Sequence, residues 1–148
     1  MSDELWHEVL EVNLTTTFNC TRAVLPYMTH NWGRIINVGS VAGHHGGGAG
    51  SIAYSATKGA IHTFTRGLAK EIASRGITVN AIAPGYIEDT PFHETTNPAN
   101  KAGMVTQTAL RRPGVPADVM GAVAFLASDL ASFITGEIFE INGGIWFA

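Results

Sequence analysis

The sequence is poor in cysteine and in charge. Its 148 residues include one cysteine, Cys20, and charged side chains make up 14% of them. A lone cysteine excludes an intrachain disulfide, which fits a reducing, cytoplasmic setting. We expect Cys20 itself to be a small buried residue of a helix. A net charge of −3 gives no electrostatic reason to expect a nucleic-acid partner.

Long apolar runs and targeting segments are lacking as well. No run reaches the roughly eighteen apolar residues that a membrane helix needs, so we expect no membrane partner. The N-terminus, M-S-D-E-L-W-H-E, is acidic and lacks the basic-then-apolar form of a signal peptide. Hydrophobic residues make up 45% of the sequence, which predicts one globular domain over residues 1–148.

The order of periodic segments predicts an α/β fold. Apolar residues recur at three- and four-residue spacing over 3–28, which predicts a helix. Helices are also predicted over 52–74, where Arg75-Gly76 is a typical end, and over 117–128, where Pro116 is a typical start. Short apolar runs at 34–38, 77–83 and 136–142 predict parallel strands, the first two buried on both faces and the third beside the second. A right-handed crossover then brings the carboxyl ends of the strands to one sheet edge, where ligands bind in open α/β sheets.

Tyr54 and Lys58 give the clearest chemical signal at that edge. They stand four residues apart at the start of the predicted helix 52–74, so they share one face of it. A nearby ammonium and the positive end of a helix both favour a phenolate. The pair therefore predicts a tyrosine with a pKa below its usual value of about 10, able to exchange a proton near neutral pH.

Two histidines stand in the glycine-rich loop over 42–50, between Ser40 and Tyr54. His44 and His45 have no further cysteine, histidine or carboxylate at a spacing typical of metal sites. We interpret them as structural loop residues and predict no metal site.

Five blocks in order resemble the short-chain dehydrogenase/reductase family. They are E-V-N-L around Asn13, G-R-I-I-N-V-G-S, A-Y-S-A-T-K-G-A, I-T-V-N-A-I-A-P-G-Y-I and I-T-G-E-I-F-E-I-N-G-G. The 3-oxoacyl-carrier-protein reductase-like subgroup is the most similar. The resemblance implies a truncated Rossmann-like, three-layer α/β fold with about three parallel strands and flanking helices. The family's T-G-x-x-x-G-x-G turn does not occur in these residues, so the match is to the C-terminal part, without the N-terminal cofactor-binding half.

The resemblance also implies a reaction, hydride transfer between NAD or NADP and a small carbonyl compound or secondary alcohol. Tyr54 would be the acid or base, and Lys58 would lower its pKa and bond the nicotinamide ribose. Ser40 would bond the substrate oxygen, and Asn13 would anchor a proton-relay water. The implied cofactor-binding residues are Tyr54, Lys58, Pro84, Gly85 and Ile87. Family enoyl reductases separate the tyrosine and lysine by more residues, which favours carbonyl substrates here.

Two family features are placed differently in this sequence. The coenzyme phosphate and adenine contacts belong to the half without a counterpart here, so the resemblance leaves cofactor binding by this chain in doubt. The family threonine that bonds the nicotinamide carboxamide stands five residues after the proline of P-G. That position is Asp89, and Thr90 comes one residue later.

Two other functions fit the same residues. Ser40, or Tyr54 activated by Lys58, would serve as the nucleophile of an ester hydrolase, although V-G-S-V-A-G is not the G-x-S-x-G elbow of such enzymes. The chain would otherwise be a non-catalytic dimeric fragment. The resemblance implies a homodimer or tetramer assembled through the helices 3–28 and 52–74.

Overall fold

The computed structural model describes residues 1–28 and 31–147. The helices of four or more residues are α1 (Asp3–Leu10), a π-helical segment (Glu11–Thr15), α2 (Thr16–Val24), α3 (Ala42–His45), α4 (Ile52–Ile72), α5 (Pro98–Gln107) and α6 (Pro116–Ala127). Short 3-10 turns are formed by Leu25–Tyr27, Ala73–Arg75, Pro91–His93 and Asp129–Ala131. The strands are β1 (Gly33–Val38), β2 (Ile77–Pro84) and β3 (Ile138–Ile141).

The three strands form one parallel sheet in the order β1-β2-β3. Gly33 is in register with Ile77, and Ala81 with Ile138. Helix α4 packs on one face with α1 against it, and α6 packs on the other face. The expected three-layer α/β fold with about three parallel strands is therefore confirmed, including the place of the third strand beside the second.

The helix predicted over 3–28 forms with one unexpected feature. The Ser2 hydroxyl caps it by accepting a hydrogen bond from the Leu5 N–H at 3.3 Å. The π-helical segment then widens the helix around Asn13, and a 3-10 turn that contains Pro26 ends it. A π-helical turn is rare and is often found at functional sites. Nothing in the apolar spacing predicted it.

Helix α4 and its exit agree with the sequence pattern. The helix continues into a 3-10 turn that Gly76 closes at a φ of 66°. A Cβ at Gly76 would lie 2.4 Å from the Asn31 Cα, so both the backbone conformation and the space require glycine. The loop before α4 differs from the prediction, since residues 42–45 of it form the short helix α3.

Burial divides the sheet. All seven residues from Ile77 to Ala83 are buried, as predicted, and Val79 of β2 has no exposed surface. In β1 only Gly33 and Asn37 are buried, and Val38 is 57% exposed. The prediction that this strand is buried on both faces holds in part, because Ile35 and Ile36 pack against the core clusters on its two faces but stay partly exposed. Its outer edge pairs with no strand among residues 1–28 and 31–147.

The prediction that Cys20 is buried was wrong, because this residue lies on the open side of β1. It is exposed rather than buried, and it lines a groove that runs along β1 on that open side. No helix in the described parts of the chain is both long and apolar enough to cross a membrane.

Candidate active site

The end of β1 is fixed against the end of β2, and Ser40 lies at this junction. The Gly39 N–H donates to the Ile82 carbonyl at 2.8 Å, and the Val41 N–H donates to the Pro84 carbonyl at 3.0 Å. Ser40, between them, is 8% exposed, and its Oγ accepts from the Ala42 N–H at 3.1 Å. These two backbone hydrogen bonds, one on each side of the serine, hold it at the carboxyl edge of the sheet.

Tyr54 and Lys58 are brought to Ser40 by the first turns of α4. The Ser55 hydroxyl ties that helix to the glycine-rich loop by donating to the Gly46 carbonyl at 2.7 Å. The Lys58 ammonium lies 5.5 Å from the centre of the Tyr54 ring, and the Ser40 side chain is close enough to the Tyr54 phenol to act on its pKa. The Phe92 ring, with its centre 5.4 Å from that of Tyr54, lies against it.

The pKa of Tyr54 differs from the sequence expectation. Burial raises the pKa of the phenol above its usual value of 10.0, and the Ser40 side chain acts in the opposite direction. The expected lowering by Lys58 was wrong for the structure as it stands. Burial is the main cause, and the Lys58 ammonium donates to the Val38 carbonyl at 2.9 Å rather than to the phenol.

The bond between Lys58 and Val38 connects the site to the open edge of the sheet. Gly39 points its N–H toward β2, and neighbouring residues of a strand point their backbone groups to opposite sides. The Val38 carbonyl therefore faces the unpaired edge, where Lys58 takes the place of a strand donor. Burial also lowers the pKa of the Lys58 ammonium below its usual value.

Asn13 reaches the same region from the helical run. Its Nδ2 donates to the Val9 carbonyl at 3.0 Å, and its own carbonyl accepts from the Thr17 hydroxyl at 2.8 Å. Asn13 and Lys58 both line the groove between the helical run and β1, which encloses about 520 Å³. We call it the β1 groove. Asn13 shares this space with Lys58, whereas Ser40 and Tyr54 lie outside its lining.

The residues after β2 form a tight backbone passage. The Gly85 N–H donates to the Ile141 carbonyl at 3.0 Å, and a Cβ at Gly85 would lie 2.9 Å from the Asn142 Cα, so only glycine fits there. The Gly114 N–H donates to the Tyr86 carbonyl at 2.9 Å, and the Glu88 N–H donates to the Gly114 carbonyl at 2.8 Å. By the same alternation, the Ile87 N–H points away from Gly114.

The donor set of these residues fits the nicotinamide and ribose end of a dinucleotide. An ammonium has three N–H groups, and Lys58 uses one of them on Val38, which leaves two for ribose hydroxyls. The Ile87 N–H is a further donor for a carboxamide. Asp89 takes a left-handed conformation at a φ of 57°, and the Thr90 hydroxyl donates to the Ile87 carbonyl at 3.2 Å. Thr90 thus lies beside Ile87 one residue later than the family spacing.

Sequence reasoning missed two side chains here. His62 lies one turn after Lys58 on α4, is 3% exposed and has a pKa lowered to about 4, chiefly by burial and then by the charges of His44, Arg66 and Lys58. Its spacing of four residues from Lys58 was the available signal. Phe92 had none, because its contact with Tyr54 depends on the path of the loop after β2.

A family model described as Enoyl-(Acyl carrier protein) reductase matches residues 1–146. The 3-oxoacyl-acyl-carrier-protein reductase FabG of Vibrio cholerae is 44% identical over 147 residues, and that of Escherichia coli K12 is equally similar. Each alignment covers 99% of this chain and 59% of the relative. The chain thus spans about three fifths of the length of these relatives.

Solved structures give the same likeness. A short-chain dehydrogenase/reductase of Brucella melitensis, described as glucose/ribitol dehydrogenase, matches with a TM-score of 0.91 and 37% identity, over 100% of this chain and 59% of that one. A 3-oxoacyl-acyl-carrier-protein reductase from Brucella melitensis with bound NAD matches with a TM-score of 0.88 and 40% identity, over 100% of this chain and 54% of that one.

Proposed function

The chain belongs to the short-chain dehydrogenase/reductase family, and on that premise we propose that it carries the proton-transfer site of an NAD(P)-dependent oxidoreductase. The substrate class is a small carbonyl compound or the corresponding secondary alcohol. The observation that supports this most is the contact of Ser40, Tyr54 and Lys58 at the carboxyl edge of a parallel sheet. The 3-oxoacyl reductases among its relatives, and three residues between Tyr54 and Lys58, favour a carbonyl over an enoyl substrate.

Tyr54 is the proton donor when a carbonyl is reduced. A phenol whose pKa is raised by burial is protonated at neutral pH, which is the form that donation requires. The step leaves a phenolate, and the Ser40 side chain, which acts to lower the pKa of Tyr54, stabilises it. General acid catalysis of this kind contributes about 10²–10⁴-fold to a rate.

Ser40 aligns the oxygen that Tyr54 protonates. Its hydroxyl is held by the Ala42 N–H and lies against the Tyr54 side chain, so a substrate oxygen that meets one of the two meets both. A donor already fixed in place stabilises developing negative charge without reorganisation. Asn13 lies in the β1 groove with Lys58, where a water between the two would carry the proton onward to solvent.

A nicotinamide, when bound, supplies or accepts the hydride at the carbon atom next to that oxygen. Lys58 would bond its ribose, and the backbone at Pro84, Gly85 and Ile87 would bind the nicotinamide ring. NAD and NADP are not distinguished by these residues, because none of them contacts the part of the coenzyme where the two differ.

We also propose that the chain associates through its long helices. Apolar side chains on them are exposed, with Val12 at 63%, Val24 at 48% and Ile52 at 67%. Exposed apolar side chains grouped on a helix surface are typical of a contact with another chain. The ester-hydrolase alternative gains no support, because the Ser40 hydroxyl is bound to Ala42, beside Tyr54, and not to a histidine among the described residues.

Coenzyme binding tests this function. We expect the fluorescence of NADH or NADPH to change saturably when the chain is added. The variant Lys58→Met should bind about tenfold or more weakly, because hydrogen bonds to a charged group are worth about 1.5–3 kcal/mol. The exposed Lys70, on the same helix, provides the matched control Lys70→Met. Absence of saturable binding by either coenzyme would rule out activity of this chain by itself.

A further inference from the structure

A buried polar cluster outside the catalytic residues connects the Ser40 loop with β3. It consists of His44 on α3, His62 on α4, Glu140 on β3 and Trp146 after it, and we call it the His44 cluster. The His44 Nε2 lies 2.7 Å from the Glu140 Oε1, with the two side chains 15% and 18% exposed. The His44 ring stacks on Trp146 at 5.9 Å between centres and lies 4.4 Å from the His62 ring.

The contact between His44 and Glu140 is not an ordinary hydrogen bond. The His44 Nε2 and the Glu140 Oε1 approach to 2.7 Å without hydrogen-bond geometry, and neither atom has another hydrogen-bond partner within the described residues. Glu140 is held from its other oxygen, which accepts from the Asn142 Nδ2 at 2.9 Å. No three His, Cys, Asp or Glu side chains are arranged to hold a metal ion in the ranges that the structure covers.

His62 supports the residues on both sides of Ser40. A Cβ at Gly39 would lie 2.4 Å from the His62 Nε2, and a Cβ at Gly43 would lie 2.8 Å from its Cε1. The loop that carries Ser40 can pack against the His62 imidazole only because Gly39 and Gly43 have no side chain. His44 follows Gly43 directly, so its contact with Glu140 acts on a segment whose other end carries Ser40.

We propose that His44 is a positioning residue, which through its pair with Glu140 and its contact with His62 holds α3 so that Ser40 stays beside Tyr54. This inference rests on the proposed function for its catalytic consequence, but its structural part does not. The charged groups that face the His44 cluster are Glu140 from β3 and, through His62, Lys58 and Arg66 from α4. Of these, Glu140 is in direct contact with His44.

The test compares His44→Gln and Glu140→Gln with His45→Gln, which alters the exposed neighbouring histidine. Amide hydrogen exchange is followed by NMR near pH 6. In the first two variants the Ala42 N–H, which donates to Ser40, should exchange about five- to tenfold faster, the equivalent of one ordinary hydrogen bond. The Val79 amide in the core should keep its rate. This readout needs neither coenzyme nor turnover.

Kinetics and a swapped pair separate positioning from mere stability. If the chain turns over, kcat should fall in His44→Gln while KM for the coenzyme stays unchanged. Exchanging the partners (His44→Glu with Glu140→His) should restore both kcat and the Ala42 exchange rate. An Ala42 rate equal to that of the unsubstituted chain in both single variants overturns the proposal. Faster exchange of the Ala42 amide in the two single variants, in a chain that shows no coenzyme turnover, supports the positioning role of His44 and contradicts the proposed function instead.

Discussion

Strands β1 and β2 are similar in sequence but differ in their surroundings. The runs R-I-I-N-V and I-T-V-N-A-I-A are both short, apolar and β-branched. Strand β2 lies between two strands and under two helices, and it is buried from Ile77 to Ala83. Strand β1 has a neighbour on one side only, and Val38 at its end is 57% exposed. Burial is thus a property of the neighbours of a strand more than of its residues.

The same difference divides the candidate site. Ser40 and Tyr54 are fixed by bonds to the closed side, formed by β2, β3, α4 and α6. Asn13 lies on the open side, formed by β1 and the helical run over residues 3–24, and Lys58 reaches across to it. We infer that Ser40 and Tyr54 belong to the more protected part of the chain, whereas Asn13 lies in its less protected part.

The largest expected effect concerns His62, on the closed side. Its folded-state pKa is about 4, against 6.5 for an ordinary histidine, so the unfolded chain binds more protons between those values. The free energy of unfolding should therefore fall as the pH drops from 6.5 toward 4, by up to about 3 kcal/mol. Urea unfolding at several pH values measures this slope.

Two comparisons assign that slope. His62→Gln should flatten it, whereas His7→Gln changes an exposed histidine of the open side and should leave it. The Asp118 carboxyl acts in another window, because its hydrogen bond from Arg112 lowers its pKa to about 2. Its contribution is present above pH 3.8 and is lost as the pH falls toward 2. Burial also lowers the pKa of His93, which adds to the slope with the same sign. A slope in His62→Gln as steep as that of the unsubstituted chain would therefore contradict the assignment.

A matched pair of valines measures the difference between the strands directly. Val79→Ala removes buried methyl groups from β2 and should cost about 2 kcal/mol of unfolding free energy. Val38→Ala makes the same change at the open edge and should cost less than about 1 kcal/mol. Equal losses in chemical denaturation would mean that the open edge is covered in solution.

Lys58 should lower the free energy of unfolding, because its burial, which lowers its pKa, disfavours its charged form. We expect Lys58→Met to raise the unfolding free energy by about 1 kcal/mol, since an apolar side chain of similar length avoids the desolvation of a charge. Lys70→Met should change it by less than about 0.5 kcal/mol. A clear loss of stability in Lys58→Met alone would show that its bond to the Val38 carbonyl outweighs its burial.

The smallest effect distinguishes residues within β1 itself. The amides of Ile35 and Asn37 point toward β2, like that of Gly39, whereas those of Arg34 and Ile36 point toward the open edge. Hydrogen exchange should therefore alternate along the strand, with the edge amides close to unprotected rates. Uniform protection along β1 would contradict an open edge.

Much of the fold could be predicted from the sequence because it depends on local pattern. Apolar spacing indicated the helix over 3–28, and Gly76 marked the end of the helix over 52–74. The order of strand, helix and strand placed Ser40 and Tyr54 at one sheet edge without further information. The identity of the chemistry came from the resemblance, because Tyr54 and Lys58 at this spacing are common by chance.

What the sequence could not predict depends on contacts distant along the chain. The pKa of Tyr54 is raised by the burial that the fold gives it, and the apparent partner Lys58 turns to a carbonyl of β1. The pairing of His44 with Glu140 joins residues far apart in sequence. Residue types at a fixed spacing suggested which groups react, but the electrostatic surroundings of these groups depend on the tertiary structure.

Coenzyme-dependent turnover by Tyr54→Phe tests whether this chain carries the proton donor of an oxidoreductase. The measurement is the loss of NADH or NADPH absorbance in the presence of a 3-oxoacyl thioester, with the unsubstituted chain alongside. We predict a rate that is lower by about 10²–10⁴-fold in the variant, with coenzyme binding retained. A variant that reduces the substrate as fast as the unsubstituted chain would contradict the role of Tyr54.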